Sequence, residues 1–243
     1  MALRLELQKV EEQIRQISKY LNLTYNPKWF AYLFIPREAH ELIEYYGTCP
    51  DPDYQKFGRN PKKRLANINK FIDSKEFKQH LKRWGGQVYS KTGYKSDLKA
   101  FINIKNKELK NVVFKTLAKV NKKLTRSDSI ILLTEPKSKR ELQQIMRFIL
   151  RHELTHILLE KNNINFQSKG KNRYWKYDEG LVTYLDYWVE NRLGSLEREV
   201  PKYKNLMEKW YFIFAIKFRE LLENKGNSIE RKKAILKIIK QKQ

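Results

Sequence analysis

One segment near the middle of the chain combines a helix start signal with two histidines one turn apart. Ser138 is followed three residues later by Glu141, the capping-box pattern that opens a helix. Apolar residues then recur at helical spacing, which predicts a helix that continues to about Lys161. These apolar positions are Leu142, Ile145, Met146, Ile149, Leu150, Leu154, Ile157 and Leu158. Because His152 and His156 lie four residues apart within this helix, both imidazoles project from the same face.

The sequence HELTH at residues 152–156 contains the residue types that a catalytic zinc site needs. Two imidazole nitrogens on one helical face can each bind an ion at about 2 Å. Glu153 is placed to take a proton from a water molecule that the metal activates. The chain has only four histidines, so the pattern seldom arises by chance. The motif therefore predicts a metal site on His152 and His156, with Glu153 as the general base.

A third metal ligand is expected to be a carboxylate, since no histidine follows His156. Glu160 is one candidate, but three ligands on consecutive turns of one helix lie nearly in a line and close poorly around a tetrahedral ion. Glu179 is favoured, because 22 residues separate it from His156. A gap of that length allows the chain to turn and begin a second, antiparallel helix that faces the first. Asp178 or the residues before it could cap this second helix.

The segments HELTH and DEGLVTYLD together resemble the gluzincin metallopeptidases, the thermolysin and aminopeptidase N-like group. In that family an HExxH helix is followed by a helix that begins N-E-G-F-A-x-Y-x-E. The matching positions are Glu179, Gly180, Leu181, Tyr184 and Asp186, whereas Asp178 replaces Asn and Val182 replaces Ala. The resemblance, which covers about 50 residues, implies Zn²⁺ bound by His152, His156 and Glu179 in an endopeptidase that acts on protein or peptide substrates. The gap between the two segments is somewhat longer than in thermolysin, and no G-x-M-E-N segment is present, so aminopeptidase activity is not implied.

Further site residues are expected on the helix that carries Glu179. Asp186 and Thr183 share its face and are candidates to hydrogen-bond a ligand histidine. A residue that stabilises the oxyanion is not evident, and several tyrosines are candidates. They are Tyr174, Tyr177, Tyr184, Tyr203 and Tyr211, of which Tyr174 and Tyr184 lie in or next to the motif. The segment HELIE at residues 40–44 echoes the zinc motif but ends in Glu, and we interpret it as an amphipathic helix.

The whole pattern predicts an α+β, predominantly helical fold. A zincin-like catalytic domain at 86–243 would combine a small sheet, an active-site helix, a third-ligand helix and C-terminal helices. The predicted strands are QVYSKTGY, LKAFINI and SIILLT. A helical, basic N-terminal region at 1–85 would begin with a heptad-patterned helix, continue with short helices broken at prolines, and end with a basic helix over 61–84. This region could bind nucleic acid, hold the substrate or cover the cleft.

The charge of the chain raises an alternative function. There are 51 Lys and Arg against 27 Asp and Glu, a formal net charge of +24. Such an excess favours a nucleic acid or another polyanion as a partner, so the alternative is a nucleic-acid-binding protein with a vestigial or structural metal site. Cys49 is the only cysteine, which excludes an intrachain disulfide and a cysteine-based zinc site. The longest apolar run, WYFIFAI, is too short to span a bilayer, and we expect a cytoplasmic protein without a membrane partner.

Overall fold

The computed structural model is α+β and mostly helical, with one three-stranded sheet, which confirms the predicted fold class at that level. The residues that the structure describes are 2–46, 52–58, 60–83, 85–90, 101–125, 129–164, 166, 175–203 and 206–242. The chain divides into two compact units. We call Pro27–Ile145 the sheet unit, and Met1–Asn26 together with Met146–Gln243 the helical unit.

The sheet unit is built around three strands in the order β1-β3-β2. They are β1 (Phe30–Ile35), β2 (Gly86–Ser90) and β3 (Ser129–Thr134). The central strand β3 runs parallel to β1, with Phe30 opposite Ser129, and antiparallel to β2. Its sequence SIILLT is a continuous apolar run rather than an alternating one, and all but its first residue are buried. This pattern is typical of a strand that is covered on both faces.

Seven α-helices lie among the described residues of the sheet unit. They are α2 (Arg37–Tyr46), α3 (Pro52–Gln55), α4 (Pro61–Ala66), α5 (Ile68–Ile72), α6 (Lys75–His80), α7 (Lys107–Leu124) and α8 (Lys139–Gln144). An aromatic cluster fills the core between the short helices, in which the rings of Tyr45 and Phe71 stack with centroids 4.0 Å apart. The Ser138 half of the predicted capping box is present at the start of α8, where the Glu141 amide donates to Ser138 Oγ at 3.1 Å, whereas the Glu141 carboxylate accepts from the Lys137 amide.

Several sequence predictions for the sheet unit were wrong in detail. Residues 30–35 form a strand, where short helices were expected. The single basic helix expected over 61–84 is three short helices, separated at Asn67 and at Ser74, which caps α6. Phe101–Asn103, within the predicted strand LKAFINI, is a 3₁₀ turn, and residues 98–100 lie outside the described residues. The division into units also differs from the predicted boundary at residue 85, because β1 is hydrogen-bonded into the same sheet as β2 and β3.

The helical unit contains the two helices that carry His152, His156 and Glu179. Its α-helices are α1 (Ala2–Tyr20), α9 (Arg151–Lys161), α10 (Trp175–Val189), α11 (Leu196–Glu199), α12 (Leu206–Leu222) and α13 (Ser228–Lys242). The heptad positions of α1 from Val10 onward are buried, and α1 packs against α9 and α10.

A π-helical segment at Ile145–Leu150 precedes α9, so the helix predicted over 138–161 is not uniformly α. No helix among the described residues combines the length and the apolar character needed to cross a bilayer.

The close approach of α10 to α12 depends on Gly180. A Cβ atom at this position would lie 2.3 Å from the Cβ of Phe214 and 3.1 Å from its carbonyl carbon. We therefore expect Gly180→Ala to lower the free energy of unfolding by about 1–3 kcal/mol, the usual cost of overpacking a core. Thermal unfolding would measure it, with Gly194→Ala as the control because a Cβ there meets nothing within 4 Å. Equal stability of the two variants would contradict this packing role.

Candidate metal centre

Two packed helices bring together the three side chains that the sequence nominated as metal ligands. His152 and His156 project from α9, and Glu179 projects from the start of α10. The two histidine Nε2 atoms lie 3.2 Å apart. Glu179 Oε2 lies 3.2 Å from Nε2 of His152 and 3.6 Å from Nε2 of His156. Among the described residues, these three form the one group of at least three His, Cys, Asp or Glu side chains that could hold a metal ion.

The spacing of these atoms fits a zinc ion. Ligand atoms at 2.0–2.2 Å from a tetrahedral ion are separated from one another by about 3.3–3.6 Å. The observed separations of 3.2, 3.2 and 3.6 Å are close to that range. Two histidines, one carboxylate and no cysteine form the donor set of a catalytic zinc site with an open fourth position. Glu160 is exposed and is not a member of the group.

Both imidazoles are oriented by a carboxylate on their outer nitrogen. His152 Nδ1 lies 2.8 Å from Asp186 Oδ2, and His156 Nδ1 lies 3.0 Å from Asp178 Oδ2. Because each Nδ1–H can donate to its carboxylate, the lone pair of each Nε2 is directed to the shared position beside Glu179. Asp186 was predicted as such a partner, whereas Asp178 was predicted only as a possible helix cap.

A buried arginine next to the first ligand was missed by sequence reasoning. Arg151 is 1% exposed, and its Nε donates to Asp186 Oδ1 at 2.8 Å. Its Nη1 donates to Glu190 Oε1 at 2.6 Å and to Gln13 Oε1 at 3.2 Å. Glu190 also accepts two hydrogen bonds from Arg147. The signal that could have pointed to Arg151 is a charged residue beside the apolar positions of α9.

The electrostatics of the site favour positive charge between the ligand atoms. Burial would lower the pKa of His152, but hydrogen bonds to Asp186 and Glu179 raise this pKa to about 10. The pKa of His156 is likewise raised against the effect of burial, by Asp178 and Glu179. Burial would raise the pKa of Glu179, but the two histidines hold it well below its usual value. A metal ion that binds here must therefore displace imidazole protons, and it takes over their role as the balancing positive charge.

Glu153 lies on α9 between the two histidines in sequence and is not part of the ligand group. Burial raises the pKa of its carboxyl group, and the neighbouring histidines oppose that effect. A carboxylate whose pKa is raised is a stronger proton acceptor than an ordinary surface glutamate. The environment of Glu153 therefore suits the general base that the motif predicts.

The remaining candidates on α10 have different surroundings. Tyr184 is fully buried, and its hydroxyl group is 2.6 Å from that of Tyr20 and 2.7 Å from Glu223 Oε1. This hydroxyl group is therefore engaged in the core instead of being presented to a substrate. Thr183 is buried, and among the described residues it makes no side-chain hydrogen bond to either ligand histidine. Tyr174 lies outside the described residues.

The segment HELIE forms part of α2 in the sheet unit. The segment is helical, as predicted, and within α2 Glu38 is exposed while His40, Glu41 and the apolar residues are buried. His40 and His80 are both buried, and His80 Nδ1 lies 3.0 Å from Glu41 Oε1. Both histidines line a cavity of about 120 Å³ that also contains Arg37. These side chains do not bring three metal-ligating atoms together.

Comparisons with known proteins add nothing to the site. No protein-family model matches the chain. No curated protein and no solved structure was found to be similar to it. The support for a function therefore comes from the motif resemblance and from the geometry of the metal centre.

Proposed function

We propose that the protein is a zinc-dependent endopeptidase of the gluzincin type, with a zincin-like catalytic domain. The observation that carries this proposal is the convergence of His152, His156 and Glu179, whose ligand atoms are separated by distances close to those around a tetrahedral zinc ion. A structural zinc site is usually closed by four protein ligands, whereas the described residues supply three. An open fourth position supports catalysis.

The mechanism assigns a proton-transfer role to Glu153. A bound zinc ion would polarise the scissile carbonyl and lower the pKa of the attacking water. Glu153 takes a proton from that water while the water oxygen attacks the carbonyl carbon. Glu153 then delivers the proton to the departing amine nitrogen. Asp186 and Asp178 hold the two imidazoles in the orientation that directs Nε2 to the metal position.

Metal removal tests the proposed function. Hydrolysis of a labelled casein by the zinc-loaded protein should fall at least 10-fold when 1,10-phenanthroline removes the metal, and should return when zinc is added back. The non-chelating isomer 1,7-phenanthroline is the control for effects of the reagent itself. Hydrolysis that persists after the metal has been stripped would contradict the proposal. So would a zinc-loaded protein that cleaves neither casein nor a broad peptide library.

A further inference from the structure

We propose that Arg151 is a positioning residue of the metal centre, which fixes Asp186 and through it the imidazole of His152. This inference rests on the proposed metal centre but goes beyond the ligands and the general base. The contacts form a continuous chain. Arg151 Nε lies 2.8 Å from Asp186 Oδ1, and Asp186 Oδ2 lies 2.8 Å from His152 Nδ1.

The two oxygens of Asp186 are used by two different partners. Arg151 and His152 are consecutive on α9, so their side chains leave the helix about 100° apart and reach the carboxylate from different directions. A carboxylate held at one oxygen alone can rotate about its Cβ–Cγ bond. Anchoring the second oxygen removes that freedom, and the hydrogen-bond acceptor of the metal ligand is then fixed in direction.

Arg151 is itself held firmly enough to act as an anchor. It is 1% exposed, and its Nη1 donates to Glu190, the residue directly after α10, and to Gln13 on α1. A guanidinium group can bond two carboxylates at once through separate nitrogens in fixed directions, which the single ammonium of lysine cannot reproduce. The first helix of the chain is thereby connected to the metal ligand through Gln13, Arg151 and Asp186.

The second imidazole provides an internal comparison. Asp178 holds His156, but among the described residues no Lys or Arg pairs with Asp178. The two histidines therefore differ in how rigidly their partners are fixed. Loss of Arg151 should disturb the His152 side of the site selectively.

The test compares Arg151→Lys with Arg147→Met, since Arg147 also bonds Glu190 but is half exposed and does not contact Asp186. We expect Arg151→Lys to weaken zinc binding by about 10–100-fold, as loss of an outer hydrogen-bonding partner typically does. It should also shift the visible absorption bands of the cobalt-substituted protein. Arg147→Met should change neither property. Wild-type zinc affinity and cobalt spectrum in Arg151→Lys would overturn the inference.

A double-mutant cycle separates positioning from a merely structural role. In an Asp186→Asn background, Arg151→Lys should cause little further loss of zinc affinity, because the two residues act through one carboxylate. Additive losses would mean that Arg151 acts on the fold and would overturn the inference. If the position-151 variants do not fold, Glu190→Gln provides a second test, because it weakens the other contact that holds Arg151. This variant should also reduce zinc affinity. Unchanged affinity would overturn the inference. A wild-type protein that binds zinc without cleaving peptides would refute the peptidase proposal alone.

Discussion

Replacing Glu153 by glutamine is expected to remove most peptide hydrolysis while leaving the bound zinc in place. The amide has the shape of the carboxylate but cannot accept a proton from the attacking water. Loss of a general base typically reduces the rate by about 10²-fold to 10⁴-fold. Because Glu153 is not one of the three grouped ligands, zinc content should stay at the wild-type value. The measurement is kcat/KM for a fluorogenic casein-derived peptide, with zinc quantified in the same samples.

Glu160→Gln is the matched control for this substitution. Glu160 lies on the same helix as Glu153, but it is exposed and outside the ligand group. Its variant should retain wild-type turnover and zinc content. Unchanged turnover in Glu153→Gln would refute the assignment of the general base, even if the metal centre itself is correct.

The local features of the site could be predicted from the sequence because they depend on helical geometry. The four-residue spacing of His152 and His156 places both side chains on one face wherever the segment is helical. The pair Ser138 and Glu141, three positions apart, indicates a helix start from local sequence alone. The convergence with Glu179 required more than spacing, since it depends on how α9 and α10 pack. The length of the gap after His156 favoured that carboxylate, and the motif resemblance supported the same choice.

Features that depend on contacts between distant segments were not predictable from the sequence. The strand β1 has a short apolar sequence, FAYLFI, that a buried helix could also have, and only pairing with β3 distinguishes the two. The sheet also joins residues on both sides of position 85, where the change from helical to strand-like patterns had suggested a boundary. The role of Arg151 depends on Gln13 of α1, Asp186 of α10 and Glu190 directly after α10, and no local pattern indicates these contacts.

The positive charge of the chain fits two interpretations. Lysines are exposed along α7, including Lys115, Lys119 and Lys122, which lie on one helical face. A basic face is compatible with nucleic acid and equally with a solvated surface. A nucleic-acid partner therefore stays a prediction, and the proposed peptidase function does not depend on it.

Glu179→Ala is expected to weaken zinc binding by more than about 100-fold. This loss exceeds the one expected when a residue that only hydrogen-bonds a metal ligand is removed. Glu179 is the one proposed ligand from α10, and its Oε2 lies 3.2 Å from Nε2 of His152 and 3.6 Å from Nε2 of His156. Without it, two histidines on one helix provide only half of a tetrahedral set. Their hydrogen bonds to Asp186 and Asp178 remain, so the variant should keep the fold of the helical unit.

The most direct test of the metal centre is a zinc titration in competition with a chromophoric chelator, carried out on the wild-type protein, Glu179→Ala and Glu160→Ala. The account predicts one tightly bound zinc ion per wild-type chain, the same affinity in Glu160→Ala, and a loss of more than about 100-fold in Glu179→Ala. Equal affinity of the wild-type protein and Glu179→Ala, or a loss confined to Glu160→Ala, would contradict it.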